Sequence, residues 1–250
     1  MNTAPPVIAV EELTMRYGER LIQRDLSFTV NQGDIFIIMG GSGCGKSTLL
    51  RHLIGLQEPA SGNVRFSGQD LWRGDDATRT AIQRRCGVLF QSGALWSSLT
   101  LSENIMLPMT EIAALKPAIA RELAAVKLAL VGLAGFEDFY PSEISGGMKK
   151  RAALARAMAL DPDILFFDEP SAGLDPLSSA HLDELILELR ASLGATIVVV
   201  THELASIFAI GNNSLFLDAD SKTMIAGGNP NTLALSGPDT VRAFLNRGKS

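Results

Sequence analysis

The densest chemistry in this 250-residue chain lies in one run, Gly40-Gly41-Ser42-Gly43-Cys44-Gly45-Lys46-Ser47, followed by Thr48. Its spacing, G-x-x-x-x-G-K-[ST], suits a loop that cradles phosphate. Glycines permit positive φ angles and leave room for phosphate oxygens against bare backbone. An apolar run, Ile35–Met39, precedes the loop, and a helix-like stretch, Thr48–Ile54, follows it. That setting aims backbone N–H groups and the positive end of a helix dipole at one anion. Lys46 is expected to reach the β- and γ-phosphates, and the Ser47 hydroxyl to ligate Mg²⁺.

Two further groups carry chemistry. Ile164-Leu165-Phe166-Phe167 is followed by Asp168-Glu169. Four apolar residues read as a buried strand, with both carboxylates where it emerges. Asp168 could hold the water shell of the same Mg²⁺, and Glu169 could orient or deprotonate an attacking water. Ser145-Gly146-Gly147 opens a helix-like stretch running to Leu160. A serine cap beside two glycines makes a second anion site, although the same residues cap ordinary helices.

The elements around these groups change texture along the chain. Ile8–Val10, Leu26–Val30, Ile35–Met39, Gly62–Phe66 and Gly87–Phe90 read as strands. Tyr17–Glu19, Asn31–Asp34 and Ser67–Gln69 read as turns, Gly45–Leu56 and Ala77–Arg85 as helices. From Gln91 to about Leu160 helical periodicity replaces strand signals. Thr100 and Glu103 have capping-box spacing, and Lys116–Val131 and Gly146–Leu160 read as helices. Strand texture returns at Ile164–Phe167 and Thr196–Val200. Between them Asp175 and Pro176 open a helix. Two short strands and a helix, Asp239–Arg247, are expected after Ser214.

Composition narrows the partners. The chain is 46% hydrophobic and 20% charged, with net charge −5. That acidity disfavours general affinity for nucleic acid. The two cysteines, Cys44 and Cys86, make no metal cluster, which suits a reduced cytosolic setting. No apolar stretch nears the roughly 20 residues that span a bilayer. Met1–Pro6 lacks the basic and apolar regions of a secretory leader. Attachment to a membrane is therefore expected to come through a partner.

Together these blocks resemble the nucleotide-binding subunit of an ABC transporter, from about Val7 to Phe244. The resemblance implies an α/β P-loop NTPase fold of ABC type in a single domain over 1–250. A RecA-like core over 7–90 and 161–228, with mixed or parallel sheet, would carry an antiparallel β subdomain. A helical subdomain is inserted at 91–160, and a tail covers 229–250. It implies ATP and Mg²⁺ as ligands. Tyr17 matches the adenine-stacking aromatic, Gly40–Thr48 Walker A, and Gln91 the Q-loop glutamine, which adds to the Mg²⁺ ligands. Ser145–Lys149 matches the LSGGQ signature, with Ile144 for its leucine and Met148 for its glutamine. Asp168 and Glu169 match the Walker B aspartate and the catalytic glutamate. Ser171–Asp175 matches the D-loop. His202, after Thr201, matches the H-loop histidine that contacts the γ-phosphate. Lys46, Glu169 and His202 would then be catalytic.

The family also implies that two copies dock head to tail, each ATP lying between Walker A of one and Ser145-Gly146-Gly147 of the other. The segments Glu143–Arg151, Val88–Trp96, His202–Ile210 and Val241–Leu245 resemble the Mce-associated ATPases of the Mla type. Those power movement of phospholipid or related hydrophobic compounds between bacterial membranes. They work at the cytoplasmic face of the inner membrane with a permease, a periplasmic Mce-domain protein and a small STAS-type subunit. Other cargo, a lipoprotein or small solute, and a non-transport mechanical ATPase are the alternatives. Ser92–Leu107, with Leu95, Trp96, Leu99 and Leu101, either receives the permease or buries within the helical segment.

Overall fold

The computed structural model describes residues 5–247. Residues 1–4, on which the leader reading bears, and 248–250 lie outside them. Elements are numbered in chain order. β3 (Ile35–Gly40) is buried throughout and sits inside a six-stranded sheet. Across that sheet run β10 (Thr223–Gly227), β9 (Asn213–Asp218), β3, β8 (Thr196–Val200), β7 (Ile164–Asp168) and β6 (Cys86–Leu89). β9, β3, β8, β7 and β6 are parallel, and β10 closes one edge antiparallel.

Continuous apolar runs are what a sheet covered on both faces requires. Because alternate residues point to opposite faces, each run feeds two cores. Ile35, Ile37, Met39, Leu165 and Phe167 pack toward the helical segment. Phe36, Ile38, Ile164 and Phe166 pack toward a second sheet, with Leu26 and Phe66. That sheet has the order β2-β1-β4-β5 and pairs antiparallel, from β1 (Ile8–Tyr17), β2 (Arg20–Val30), β4 (Ser61–Phe66) and β5 (Gln69–Asp70). The fold class expected from the sequence is therefore present.

Several boundaries move. β1 and β2 are much longer than their apolar cores, because the pairing register shifts between Val10 and Leu13. Glu12, at φ 49, sits in that irregularity and interrupts the in–out alternation of the strand. Gln69 pairs with Phe66 rather than completing a turn. α1 (Lys46–Leu53) stops short of Leu56, with Gly55 at φ 77 just beyond it. α2 spans Asp76–Arg84, capped by the Asp75 carboxylate on Thr78 N at 2.8 Å.

Between β6 and β7 the described elements are helical: α3 (Leu101–Glu111), α4 (Pro117–Leu130), a short 3₁₀ turn (Pro141–Glu143) and α5 (Gly146–Ala157). The capping box forms, with Thr100 Oγ1 accepting from Glu103 N at 3.2 Å and Glu103 Oε2 from Thr100 N at 2.8 Å. α6 (Pro176–Leu193) is capped by Asp175, which accepts from Leu177 N and Ser178 N. α7 (Leu204–Ile210) and α8 (Pro230–Ser236) were not expected, and α9 (Asp239–Asn246) was.

The loop entering α3 is held by one buried side chain. Asn104 donates to the carbonyls of Trp96 (3.0 Å), Leu99 (3.1 Å) and Thr100 (2.9 Å), and accepts from Trp96 N (2.7 Å). Removing it would delete all four bonds and leave Leu99 O without its side-chain donor, although Trp96 O still accepts from Leu99 N and Thr100 O from residue 104 N. Asn104→Ala is expected to lower the unfolding free energy by about 1–3 kcal/mol, read from urea denaturation.

Candidate active site

β3 delivers its chain into a loop that only glycine can follow. Gly40 has φ 151, and a Cβ there would lie 2.3 Å from Leu217 O and 2.8 Å from Cys44 Sγ. Gly43 and Gly45 also have positive φ, and a Cβ on Gly45 would lie 2.7 Å from Ile22 Cγ2. Gly45 is the N-cap of α1 and supplies no side-chain hydrogen bond. The first N–H groups of that helix therefore lack an intrahelical partner and keep their positive field. Lys46 Nζ folds back onto the loop, donating to Gly40 O (3.1 Å) and Gly41 O (2.9 Å).

The loop is braced from below. Gln23, fully buried on β2, donates to Cys44 O at 2.7 Å and Asp218 O at 2.9 Å. Cys44 is buried too, and burial pushes its thiol up, so the sulfur acts as neutral filler. Both cysteines are free, and burial pushes Cys86 to about 12.

Two carboxylates stand at the end of β7. Asp168 Oδ1 accepts from Ser47 Oγ at 3.1 Å. Burial raises its pKa most, the Ser47 hydrogen bond opposes this, and the Glu169 charge adds to the rise. Glu169 is 8% exposed and, at φ 48, holds a left-handed conformation that non-glycine residues seldom adopt. Its Oε1 meets His202 Nδ1 at 2.8 Å, while Oε2 is buried without a partner. A carboxylate oxygen needs the ring to donate from Nδ1, which leaves Nε2 as the free edge.

Gly40, Ser42, Gly43, Gly45, Lys46, Ser47, Thr48, Gln91, Glu169, His202 and Arg247 line one cavity of about 420 Å³. Most of the expected residues thus come together. Ser145 and Gly147 do not join them. They line a separate cavity of about 450 Å³ with Arg151, Leu174 and His181. The Ser145 hydroxyl there caps its own helix, accepting from Met148 N at 3.3 Å. Gly146 is exposed beside it. Tyr17 stands half exposed at the end of β1, with its hydroxyl accepting from Arg51 Nη1 at 3.4 Å.

The residues fit a phosphorylated ligand and a hard cation. An uncapped helix start and an ammonium suit phosphate, and an orphaned buried carboxylate oxygen suits a water or hydroxyl donor. Ser47 and Asp168 offer neighbouring oxygen donors of the kind Mg²⁺ takes. Sequence reasoning missed Gln23, Lys150 and Arg247. Arg247 Nη2 donates to His202 O at 2.6 Å, with its guanidinium 4.2 Å over Phe244. Lys150 Nζ donates to Gln91 O and, at 3.4 Å, to Glu169 O. A lysine at a helix position that packs inward was the signal available.

Comparison with known proteins bears on this geometry. The family model described as "ABC transporter" matches residues 23–172. The chain is 40% identical over 239 residues to the "Probable ribonucleotide transport ATP-binding protein mkl" of Mycobacterium tuberculosis, covering 96% of this chain and 66% of that protein. It thus spans just under two thirds of that relative's length. It is 40% identical to the "Intermembrane phospholipid transport system ATP-binding protein MlaF" of Haemophilus influenzae, covering 88% and 83%. The Escherichia coli protein of that name is 38% identical, covering 96% and 88%. Among solved structures, the ATP-binding cassette MJ0796, dimeric and bound to ADP and Pi, matches at TM-score 0.78 and 29% identity, covering 89% and 98%.

Lys46→Ala is expected to raise the Kd for a fluorescent ATP analogue by about 100-fold, the worth of one or two charge-assisted hydrogen bonds. Equilibrium titration of the purified chain measures it, with the thermal transition as a check on folding.

Proposed function

This chain belongs to the ABC transporter family of ATP-binding proteins, and from that membership we propose that it hydrolyses ATP to power a transporter moving phospholipid between bacterial membranes. One observation carries the ATPase reading. A buried carboxylate oxygen of Glu169 stands unpartnered beside a glycine cradle whose lysine turns back onto the loop itself, toward Gly40 O, Gly41 O and Cys44 Sγ.

In this reading, the backbone N–H groups at the start of α1 and the Lys46 ammonium bind the phosphate chain. Ser47 and Asp168, with Gln91 lining the same cavity, would hold Mg²⁺, which supplies charge neutralisation to the β- and γ-phosphate oxygens. His202 fixes Glu169 through Oε1, which leaves Oε2 to accept the proton of the attacking water. Arg247 holds the His202 carbonyl and adds a cation at the cavity mouth. Tyr17 offers an aromatic face to adenine.

Ser145, Gly146 and Gly147 lie outside their own chain's cradle, so the site is completed by a second copy docked head to tail. Met148 replaces an amide donor, but the glycine N–H groups remain. The three-part division proposed is a RecA-like core over 7–90 and 161–228, a helical subdomain at 91–160 and a tail from 229.

No helix among the described residues is long and apolar enough to cross a membrane. We place the chain at the cytoplasmic face of the inner membrane, held by a permease, with an Mce-domain protein and a STAS-type subunit as further members. The permease would seat in an apolar groove of about 730 Å³ lined by Val88, Leu107, Pro108, Ile112, Arg156 and Leu160. Of the apolar loop residues, Leu101 is fully buried, Leu95 packs on the core and Trp96 is 59% exposed. Leu99 is half-buried, which leaves Trp96 as the most exposed of the four for a partner. The phospholipid assignment follows the MlaF relatives. The name of the mycobacterial relative, a ribonucleotide transport protein, favours a nucleotide cargo instead.

Glu169→Gln is expected to lower kcat by about 100-fold or more while ATP binding persists, and equal rates would remove Glu169 from the chemistry. Trp96→Glu is expected to leave nucleotide affinity unchanged but reduce recovery of the permease on co-purification. An undiminished complex would clear that residue. Mass spectrometry of the same complex separates phospholipid from nucleotide cargo.

A further inference from the structure

Lys150, in α5, is only 7% exposed, yet its ammonium faces no carboxylate oxygen within ion-pair distance among the described residues. Both of its hydrogen bonds go to main-chain carbonyls, Gln91 O and Glu169 O. Burying a charge is costly unless polar partners satisfy it. The Asp168 and Glu169 charges nearby offset part of that cost, although burial still lowers the Lys150 pKa. An apolar or neutral side chain would fill the same space at less cost, so the charge itself calls for an explanation.

The two carbonyls belong to the parts of the site most in need of holding. Glu169 is in the left-handed region without being glycine. Such a conformation costs on the order of 1–3 kcal/mol and persists where neighbours over-determine it. Glu169 N donates to Val200 O at 2.8 Å, and Lys150 grips the carbonyl on its other side. Gln91 opens the loop after β6. Six residues along α5, Arg156 donates to two further carbonyls of that loop, Gly93 O and Ala94 O. Arg156 also lines the 730 Å³ groove. One helix therefore holds three carbonyls of one loop, and through Lys150 that loop shares a cation with Glu169.

We propose that Lys150 is a positioning residue that ties the loop beginning at Gln91 to the backbone of Glu169, so that displacement of that loop changes how Glu169 is held for catalysis. This rests on the ATPase reading above. Lys150 is not among the residues that line the cradle cavity, whereas Glu169 is. It holds the Glu169 carbonyl from behind.

The test compares Lys150→Met, which keeps the stem and loses the ammonium, with Lys150→Arg, in the full-length chain. Steady-state ATPase kinetics and hydrogen exchange are measured on the same samples. In Lys150→Met, kcat is expected to fall about tenfold or more, as small misplacements of catalytic groups do, with the nucleotide Kd within about twofold. Lys150→Arg is expected to recover most of that rate. Amides of 91–95 and 168–172 are expected to exchange at least about tenfold faster in Lys150→Met, as local openings become easier. A kcat within twofold of wild type overturns the proposal. So does a kcat loss matched by lost affinity, or faster exchange confined to α5. If Lys150→Met does not fold, Lys150→Gln, which cannot reach both carbonyls, is read by the same criteria. Wild-type protein without turnover would sink the ATPase reading instead, while the exchange data still decide the tie.

Discussion

A helix that begins without a side-chain cap, just past the end of a central buried strand, is the constraint on which the rest of this molecule turns. Gly45 gives α1 no hydrogen-bonding side chain, and the loop before it can be followed only by glycine at Gly40 and Gly45. The field at that point is positive and lacks an anion from the chain itself. Lys46 adds to it instead of relieving it. What the fold supplies is geometry: β3 carries the loop, β7 alongside β8 brings Asp168 and Glu169 to the same edge, and the end of β8 brings His202. The carboxylates lie next to the cationic cradle without filling it.

Much of this is legible in the amino-acid sequence because its signals are local. Five apolar residues before a glycine run can be little else than a buried strand, and β3 is central. The Asp175–Pro176 start of α6 and the Thr100–Glu103 box hold because each cap involves residues two or three positions apart. What was not legible depends on distant partners. Gln23 sits 195 residues from Asp218, and nothing in a β-strand marks it as the brace of a loop. Arg247 follows a short terminal helix, and tertiary packing, including Phe244 against Phe216 and Asn246 on Ala234 O, brings it to His202. α7 and α8 are seven residues each, too short for periodicity to announce. β1 and β2 were cut short because the irregularity at Glu12 breaks the alternation that marks a strand.

The same distance problem explains why the second anion site reads as incomplete. Ser145 caps α5 through Met148 N, and with Gly147 it lines a cavity separate from the phosphate cradle. In isolation this is an ordinary helix start. It gains chemical sense only when another copy brings a phosphate to it, which the chain alone cannot do.

α5 is then more than a packing element. At about 1.5 Å per residue, its 12 residues form a rod on the order of 18 Å long. Its first turn carries Gly146 and Gly147, its second Lys150, and its last Arg156. A straight helix moves as a unit, so a shift at the groove end reaches the signature end without needing a chain of side-chain rearrangements. The interior offers little slack, since Ala152, Ala153, Leu154 and Ala155 are all fully buried. A partner pressing on the groove and a phosphate arriving at the glycines would therefore act on one rigid body, and Glu169 is attached to it by a single ammonium.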